Sequence, residues 1–252
     1  MKVVILAGGL GTRISEESVL KPKPLVEIGG KPIIWHIMKH YSHFGLNDFI
    51  ICCGYKGYLI KEYFTNYSLH TTDITVDVRS NKIDVHNKTT EPWKITLIDT
   101  GQDSQTGDRI KKIEKFVSED FCLTYGDGLS AIDIKKLIKF NKRNKKLASV
   151  TAVKPAGRFG AIELKKNLVT NFLEKPSGDG GWINGGFFVL NKDFLKLISN
   201  KNEMLERVAI QKAVNQNEVC AYRYEGFWHC IDTKRDKDLL EKYFKKQKRN
   251  SK

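Results

Sequence analysis

The feature that most constrains this chain lies at its start. Lys2-Val3-Val4-Ile5-Leu6-Ala7 is a short apolar run rich in β-branched residues, and it leads directly into Gly8-Gly9-Leu10-Gly11-Thr12-Arg13. The run has the pattern of a buried strand. Three glycines let the following backbone approach a ligand closely and turn N–H groups toward phosphate oxygens. Arg13 adds a fixed cationic fork suited to phosphate. The loop lacks the Gly-Lys-Ser/Thr ending of a P-loop and the third glycine of the dinucleotide fingerprint, so neither class is expected. Lys21-Pro22-Lys23-Pro24-Leu25-Val26 follows shortly. Its prolines restrict the segment to an extended path and hold a lysine in place.

The rhythm that follows is α/β. Pro32 to Phe44 carries Ile33, Ile34, Ile37, Met38 and Tyr41 at helical spacing and stops at Gly45. Asp48 to Cys53 is a second buried strand, and Tyr58 to Phe64 a helix. Further on, Phe121 to Tyr125, Ala148 to Val153 and Gly185 to Leu190 have strand patterns, while Asp133 to Arg143 and the stretch from Asp193 to Ile198 have helical ones. Between these, Ile74, Val76 and Val78 alternate with polar residues, as do Ile83 and Val85 and then Trp93, Ile95 and Leu97, which predicts antiparallel strands. The expected fold is therefore a Rossmann-like, mixed and mostly parallel sheet flanked by helices, with an inserted antiparallel β-hairpin region. One domain over residues 1–243 is expected, with the insertion at about 71–98. A basic, flexible tail would occupy 244–252.

Charge and cysteines narrow the classes. The formal net charge is +14, from 43 basic and 29 acidic residues, and much of the excess lies in Lys135–Lys146 and in Lys242–Lys252. Such runs are usually solvated surface, and a phosphate substrate also favours a basic cleft; nonspecific polyanion binding is the competing reading. No apolar run approaches the roughly 20 residues of a membrane span. The apolar start is too short for a signal peptide, so a cytoplasmic location is expected. Cysteines 52, 53, 122, 220 and 230 are odd in number and form no Cys-x-x-Cys pair, and buried reduced thiols are expected at Cys52, Cys53 and Cys122. His36 and His40 stand one helical turn apart, with His43 near, but no third ligand accompanies them; an amphipathic helix bearing surface histidines is the better reading.

Two aspartates end apolar runs. Asp127 follows Phe121–Tyr125 within Gly126-Asp127-Gly128, and Asp232 follows Phe227-Trp228-His229-Cys230-Ile231. Open α/β sheets place ligands at the carboxyl ends of their strands. Mg²⁺ is commonly held by one or two carboxylates together with water and phosphate oxygens.

Gly-Gly-x-Gly-Thr-Arg followed by Pro-Lys-Pro resembles the signature of the sugar-phosphate nucleotidyltransferases. The run Lys21 to Lys39, Ile51 to Tyr58, Leu97 to Gly101, Thr124 to Gly128, Gly157 to Ala161, Glu174-Lys175-Pro176 and Ile183 to Leu190 are similar to the branch of cytidylyltransferases that act on glucose 1-phosphate. The resemblance extends to about Tyr243. It implies an enzyme that takes CTP and glucose 1-phosphate and uses Mg²⁺, a homo-oligomer with a hexamer as one form, and no specific nucleic-acid or membrane partner. It also implies roles. Leu6, Ala7, Gly8, Gly9, Leu10, Gly11, Thr12 and Arg13 would wrap the nucleotide, with Lys23 facing its phosphates. Ser104, Arg109, Gly126 and Gly128 would complete the nucleotide site; Glu174, Lys175, Asn184 and Gly185 would line the sugar-phosphate side. Asp127 and Asp232 would hold the metal, and Arg13, Lys23 and Asp127 would be catalytic. A uridylyl- or thymidylyltransferase, or a non-catalytic relative that binds nucleotide sugars, remains open on sequence alone.

Overall fold

In the computed structural model, which describes residues 1–11, 20–86, 90–155, 161–173 and 181–250, the first apolar run forms β1 (Val3–Ala7), buried at every position. Six more strands join it in one sheet: β2 (Asp48–Cys53), β3 (Lys94–Asp99), β4 (Phe121–Tyr125), β5 (Ala148–Val153), β6 (Ile183–Leu190) and β7 (Val219–Tyr224). Their order across the sheet is β7-β5-β6-β4-β1-β2-β3. All pairings are parallel except those of β6, which runs antiparallel to both β4 and β5.

The alternation of side chains along β1 explains the layers. Val3, Ile5 and Ala7 point to one face, and Val4 and Leu6 to the other, each into its own apolar cluster. The first face is covered by α1 (Ile33–His43), α2 (Gly57–Thr65) and α4 (Ile134–Asn144), through Ile33, Ile37, Tyr41, Ile60 and Leu137. The second is covered by α3 (Thr106–Lys112) and α5 (Ala209–Asn215), through Ile110, Ala209 and Ala213. A strand buried on both faces has no solvent side, hence its continuous apolar run. At about 25 cal/mol per Å² of apolar surface, two such layers supply most of the stabilisation. Local signals set the helix ends. Asp133 caps α4 by accepting from the Lys136 N–H at 2.9 Å, and Lys145 ends it in the left-handed conformation.

Several expectations need correction. The hairpin exists, Ile74–Asp77 against Lys82–Val85, but it stands apart as a two-stranded ribbon. The alternating Ile95 and Leu97 belong instead to β3, a parallel edge strand of the main sheet. Alternation reports a half-buried strand; it carries no information on direction. At the C-terminal end α6 runs from Lys234 to Asn250, so residues 244–250 of the expected tail continue a helix. It contains no glycine or proline, and Tyr243 stacks on Phe227 with ring centroids 4.2 Å apart, which anchors it. Lys192–Leu197 is a 3₁₀ turn where an α-helix was expected to begin. β7 and the hairpin of Ala161–Lys165 with Leu168–Leu173 were not anticipated. Cys52, Cys53 and Cys122 are buried free thiols, as expected. Among the described residues no helix is long and apolar enough to cross a membrane.

Candidate active site

β2 and then β3 are added on one side of β1 while β4, parallel to it, is added on the other, so the winding of the sheet reverses between β1 and β4. The carboxyl ends of two such strands leave a crevice, the usual ligand site of open α/β sheets. Here a cleft of about 350 Å³ lies at that point, bounded by Leu6, Ala7 and Gly8 from β1 and by Tyr125, Gly126 and Asp127 from β4. That volume suits a small ligand. Gly126 lets the two strand ends close up, because a Cβ there would stand 2.9 Å from the Leu6 carbonyl oxygen.

A short ribbon brings the two aspartates together. Gly128–Ser130 pairs antiparallel with Trp228–Cys230, with Gly128 opposite Cys230, and the Ile231 N–H donates to the Asp127 carbonyl at 3.0 Å. Asp127 precedes one strand of the ribbon and Asp232 follows the other. The Lys23 ammonium joins them, donating to Asp127 Oδ2 at 2.7 Å and to Asp232 Oδ1 at 2.8 Å. Lys23 reaches them from a 3₁₀ turn over Lys23–Leu25 rather than from an extended segment. Proline's fixed φ suits the first turn of a helix as well as an extended path, and Pro22 and Pro24 set this turn. Burial opposes the charge on Lys23, but the Asp127 carboxylate and then Asp232 outweigh it and hold its pKa above the ordinary value.

The residues fit a hard divalent cation. One ligand atom from each of Asp127, Cys230 and Asp232 lies within 4.8 Å of the others. Burial and the two carboxylates push the Cys230 thiol up to about 12, and a hard cation prefers the two carboxylate oxygens to sulfur. Two carboxylates completed by water and phosphate oxygens suit Mg²⁺. A cation already bridges both carboxylates, which shows that their separation accommodates a shared positive charge. On the neighbouring helix, His36 and His40 each place Nε2 2.8 Å from a backbone carbonyl, that of Ile28 and that of Ile132.

On the other side of the cleft Arg109 organises the loops. It is 4% exposed. Nη2 donates to the carbonyls of Gly8 at 2.9 Å and Gln102 at 3.1 Å; Nη1 donates to Thr100 Oγ1 at 2.7 Å and to the Gly101 and Cys53 carbonyls at 2.8 and 3.3 Å. One planar fork therefore ties together the carboxyl ends of β1, β2 and β3. Gly8 and Gly54 leave room for it: a Cβ on either would lie 2.2 or 2.4 Å from Nη1.

The Nucleotidyl transferase family model matches residues 2–243. The chain belongs to this family. The glucose-1-phosphate cytidylyltransferases of Salmonella typhimurium and Salmonella typhi are each 54% identical to it over 250 residues, 98% of this chain and 97% of theirs. A UDP-glucose pyrophosphorylase solved with UDP-glucose shares its fold at a TM-score of 0.69 and 17% identity, over 98% of both chains.

In this nucleotidyltransferase most of the expected site residues meet at one cleft. Leu6, Ala7, Gly8, Gly9, Gly11 and Lys23 line it, as do Ser104, Arg109, Gly126, Asp127 and Asp232. Leu10 is about half exposed, and Gly128 opens the ribbon instead of lining the cleft. Asn184 approaches through a 3.2 Å hydrogen bond from Nδ2 to the Tyr125 hydroxyl, and the Gly185 carbonyl accepts from the Trp228 indole at 2.7 Å. Thr12, Arg13, Glu174 and Lys175 lie outside the described residues. Sequence reasoning missed Tyr125, Gln105 and Thr106, which also line the cleft. The one signal for Tyr125 was its place two residues before Asp127.

Sequence reasoning missed Asp236 as well. Thr233 caps α6, with Oγ1 accepting from the Asp236 N–H at 3.2 Å, while Asp236 Oδ2 accepts from the Thr233 and Asp232 N–H groups at 2.8 and 3.0 Å. This reciprocal cap fixes the backbone of Asp232. Burial works against the Asp236 charge, but the hydrogen bonds from Thr233 and Asp232 hold its pKa below the ordinary 3.8. Its contribution to stability is thus present above that pH and is lost as the pH falls through the folded value. Asp236→Ala should lower the melting temperature by about 2–4 °C. It should also cut kcat on the order of tenfold by loosening Asp232. Thermal melts and steady-state rates check this; unchanged kcat would detach the cap from the site.

Proposed function

We propose that this nucleotidyltransferase transfers the cytidylyl group of CTP to α-D-glucose 1-phosphate, giving CDP-glucose and pyrophosphate. The observation that carries the reading is the Lys23 ammonium shared by Asp127 and Asp232 at the switch point of the sheet. The choice of base and sugar follows from 54% identity along nearly the whole chain to cytidylyltransferases that act on glucose 1-phosphate.

A phosphate oxygen of glucose 1-phosphate attacks the α-phosphorus of CTP in line. The new P–O bond forms as the bond from that phosphorus to the bridging oxygen breaks, and the electron pair leaves with pyrophosphate. The nucleophile is already an anion, so no general base is required, and catalysis rests on positioning and charge neutralisation. Mg²⁺ on Asp127 and Asp232 would offset the charge of the phosphates. Lys23 contributes a cation on a flexible stem that can pivot from carboxylate to phosphate. The glycine turn, braced from behind by Arg109, bounds the nucleotide; Ser104 lines its base side. Asn184 and Gly185 serve the sugar-phosphate side. In the same reading Arg13 steadies the leaving pyrophosphate, while Glu174 and Lys175 take the sugar phosphate.

The test is pyrophosphate release with Mg²⁺ and glucose 1-phosphate, comparing CTP, UTP, dTTP, ATP and GTP. CTP should exceed the others in kcat/KM on the order of 100-fold. Preference for UTP or dTTP would move the enzyme to a sister specificity, and nucleotide binding without release would favour a non-catalytic relative.

A further inference from the structure

Four residues from distant parts of the chain form one continuous hydrogen-bond chain, two of whose members, Tyr125 and Thr106, line the cleft. Glu206, just before α5, accepts a hydrogen bond on each carboxylate oxygen. The Tyr125 hydroxyl donates to Oε1 at 2.5 Å and the Thr106 hydroxyl donates to Oε2 at 2.8 Å. The Tyr125 oxygen in turn accepts from Asn184 Nδ2 at 3.2 Å, and Asn184 Oδ1 accepts from the Gly186 N–H at 2.8 Å. Thr106 Oγ1 accepts from the Leu205 N–H at 2.8 Å.

A carboxylate has no proton to give, so both hydroxyls must point at Glu206 and every later member is oriented in sequence. Thr106 opens α3 beside Ser104, on the nucleotide side. Asn184 is the second residue of β6 and reaches Tyr125 from there. Tyr125 and Thr106 both line the cleft, and Glu206 stands behind them. Burial first, and then the Glu206 carboxylate, raise the Tyr125 phenol well above its ordinary pKa, which keeps it a proton donor.

We propose that Glu206 is a positioning residue that couples the two substrate subsites, orienting Thr106 toward the nucleotide and, through Tyr125, Asn184 toward the sugar phosphate. This rests on the assignment of substrates made above. Each arm has a separable effect. Tyr125→Phe deletes the sugar arm and leaves Thr106 bound to Glu206. Thr106→Val deletes the nucleotide arm. Glu206→Ala releases both. Networks of this kind show non-additive effects because their members share one orientation.

The experiment is steady-state kinetics with each substrate varied in turn, on the wild type, the three single variants and the Glu206→Ala/Tyr125→Phe double variant, with thermal melts as the control for folding. Tyr125→Phe should raise KM for glucose 1-phosphate about tenfold and leave KM for CTP within about twofold. Thr106→Val should do the reverse, Glu206→Ala should raise both, and Tyr125→Phe should add nothing further once Glu206 is gone. If Glu206→Ala does not fold, Glu206→Gln takes its place, because an amide keeps the shape but supplies only one acceptor oxygen. Unchanged KM values in the folded Glu206 variant, or effects that multiply in the double variant, would overturn the coupling. The wild-type nucleotide preference, read in the same assays, separates this outcome from failure of the substrate assignment: if another nucleotide is preferred, the variants are compared with that one.

Discussion

Asp127→Asn is expected to retain about a thousandth of wild-type kcat while folding normally. The substitution keeps the shape of the side chain, and its amide oxygen can still accept from Lys23, now 2.7 Å from the carboxylate. What it removes is one of the two negative charges that define the site. Lys23 keeps only Asp232 as an anionic partner, and a divalent cation keeps only one carboxylate. Because the Asp127 carbonyl accepts from the Ile231 N–H and the next residue, Gly128, pairs with Cys230, the main chain has no reason to move. KM should therefore change less than kcat, the pattern of an interaction made mainly in the transition state. Circular dichroism melts and pyrophosphate release across a Mg²⁺ titration read the two effects separately. Turnover within about tenfold of wild type would remove Asp127 from the chemistry.

The second large effect is expected at Arg109, and it is expected first in stability. Arg109→Ala removes the guanidinium, which is 4% exposed, from four backbone carbonyls and Thr100 Oγ1; Gly8 keeps the Tyr55 N–H and Cys53 keeps the Thr100 N–H, while the Gly101 and Gln102 carbonyls lose their Arg109 donors. Unsatisfied buried acceptors cost about 1–3 kcal/mol each, but loops relax and water enters, so a net loss of about 3 kcal/mol is expected. For a chain of this length that lowers the melting temperature by about 6–12 °C. Nucleotide affinity should fall with it, since the Gly8 peptide is held on its carbonyl side by Arg109 Nη2 and by the Tyr55 N–H at 3.1 Å. Arg109→Lys should recover only part of the loss, because a single ammonium cannot span the ends of three strands. A melting temperature within about 2 °C of wild type in Arg109→Ala would show that the clamp is dispensable. Arg109 was expected among the nucleotide-binding residues; the hydrogen bonds it makes go to Thr100 and to the carbonyls of Gly8, Cys53, Gly101 and Gln102, so it braces the turn after β1.

Much of the architecture was legible before any coordinates. The continuous apolar runs of β1, β2 and β4 can only be strands buried on both faces, and Ile33, Ile37 and Tyr41 recur at a spacing that only a helix turns to one side. The glycine turn, Lys23, Asp127 and Asp232 stand out in a linear reading as small residues and fixed charges beside strand ends, and the fold brings Gly8, Gly9, Gly11, Lys23, Asp127 and Asp232 to one cleft. Direction and distance were not legible. Alternation in Ile95 and Leu97 is the same for a parallel and an antiparallel strand, so β3 had to be placed by its partner. Charge dominates the composition of the run after Tyr243 and hides the helix that continues to Asn250, while the stacking of Tyr243 on Phe227, 16 residues away in sequence, is visible only in the fold. The same holds for Tyr125, Glu206 and Asp236. Each is an ordinary residue in its own segment, and it becomes part of the site only when folding brings a partner within hydrogen-bond reach. Local patterns depend on neighbours in sequence, so one chain read in order reveals them; a positioning network depends on pairs separated by up to 100 residues, and only the packed sheet decides which of them meet.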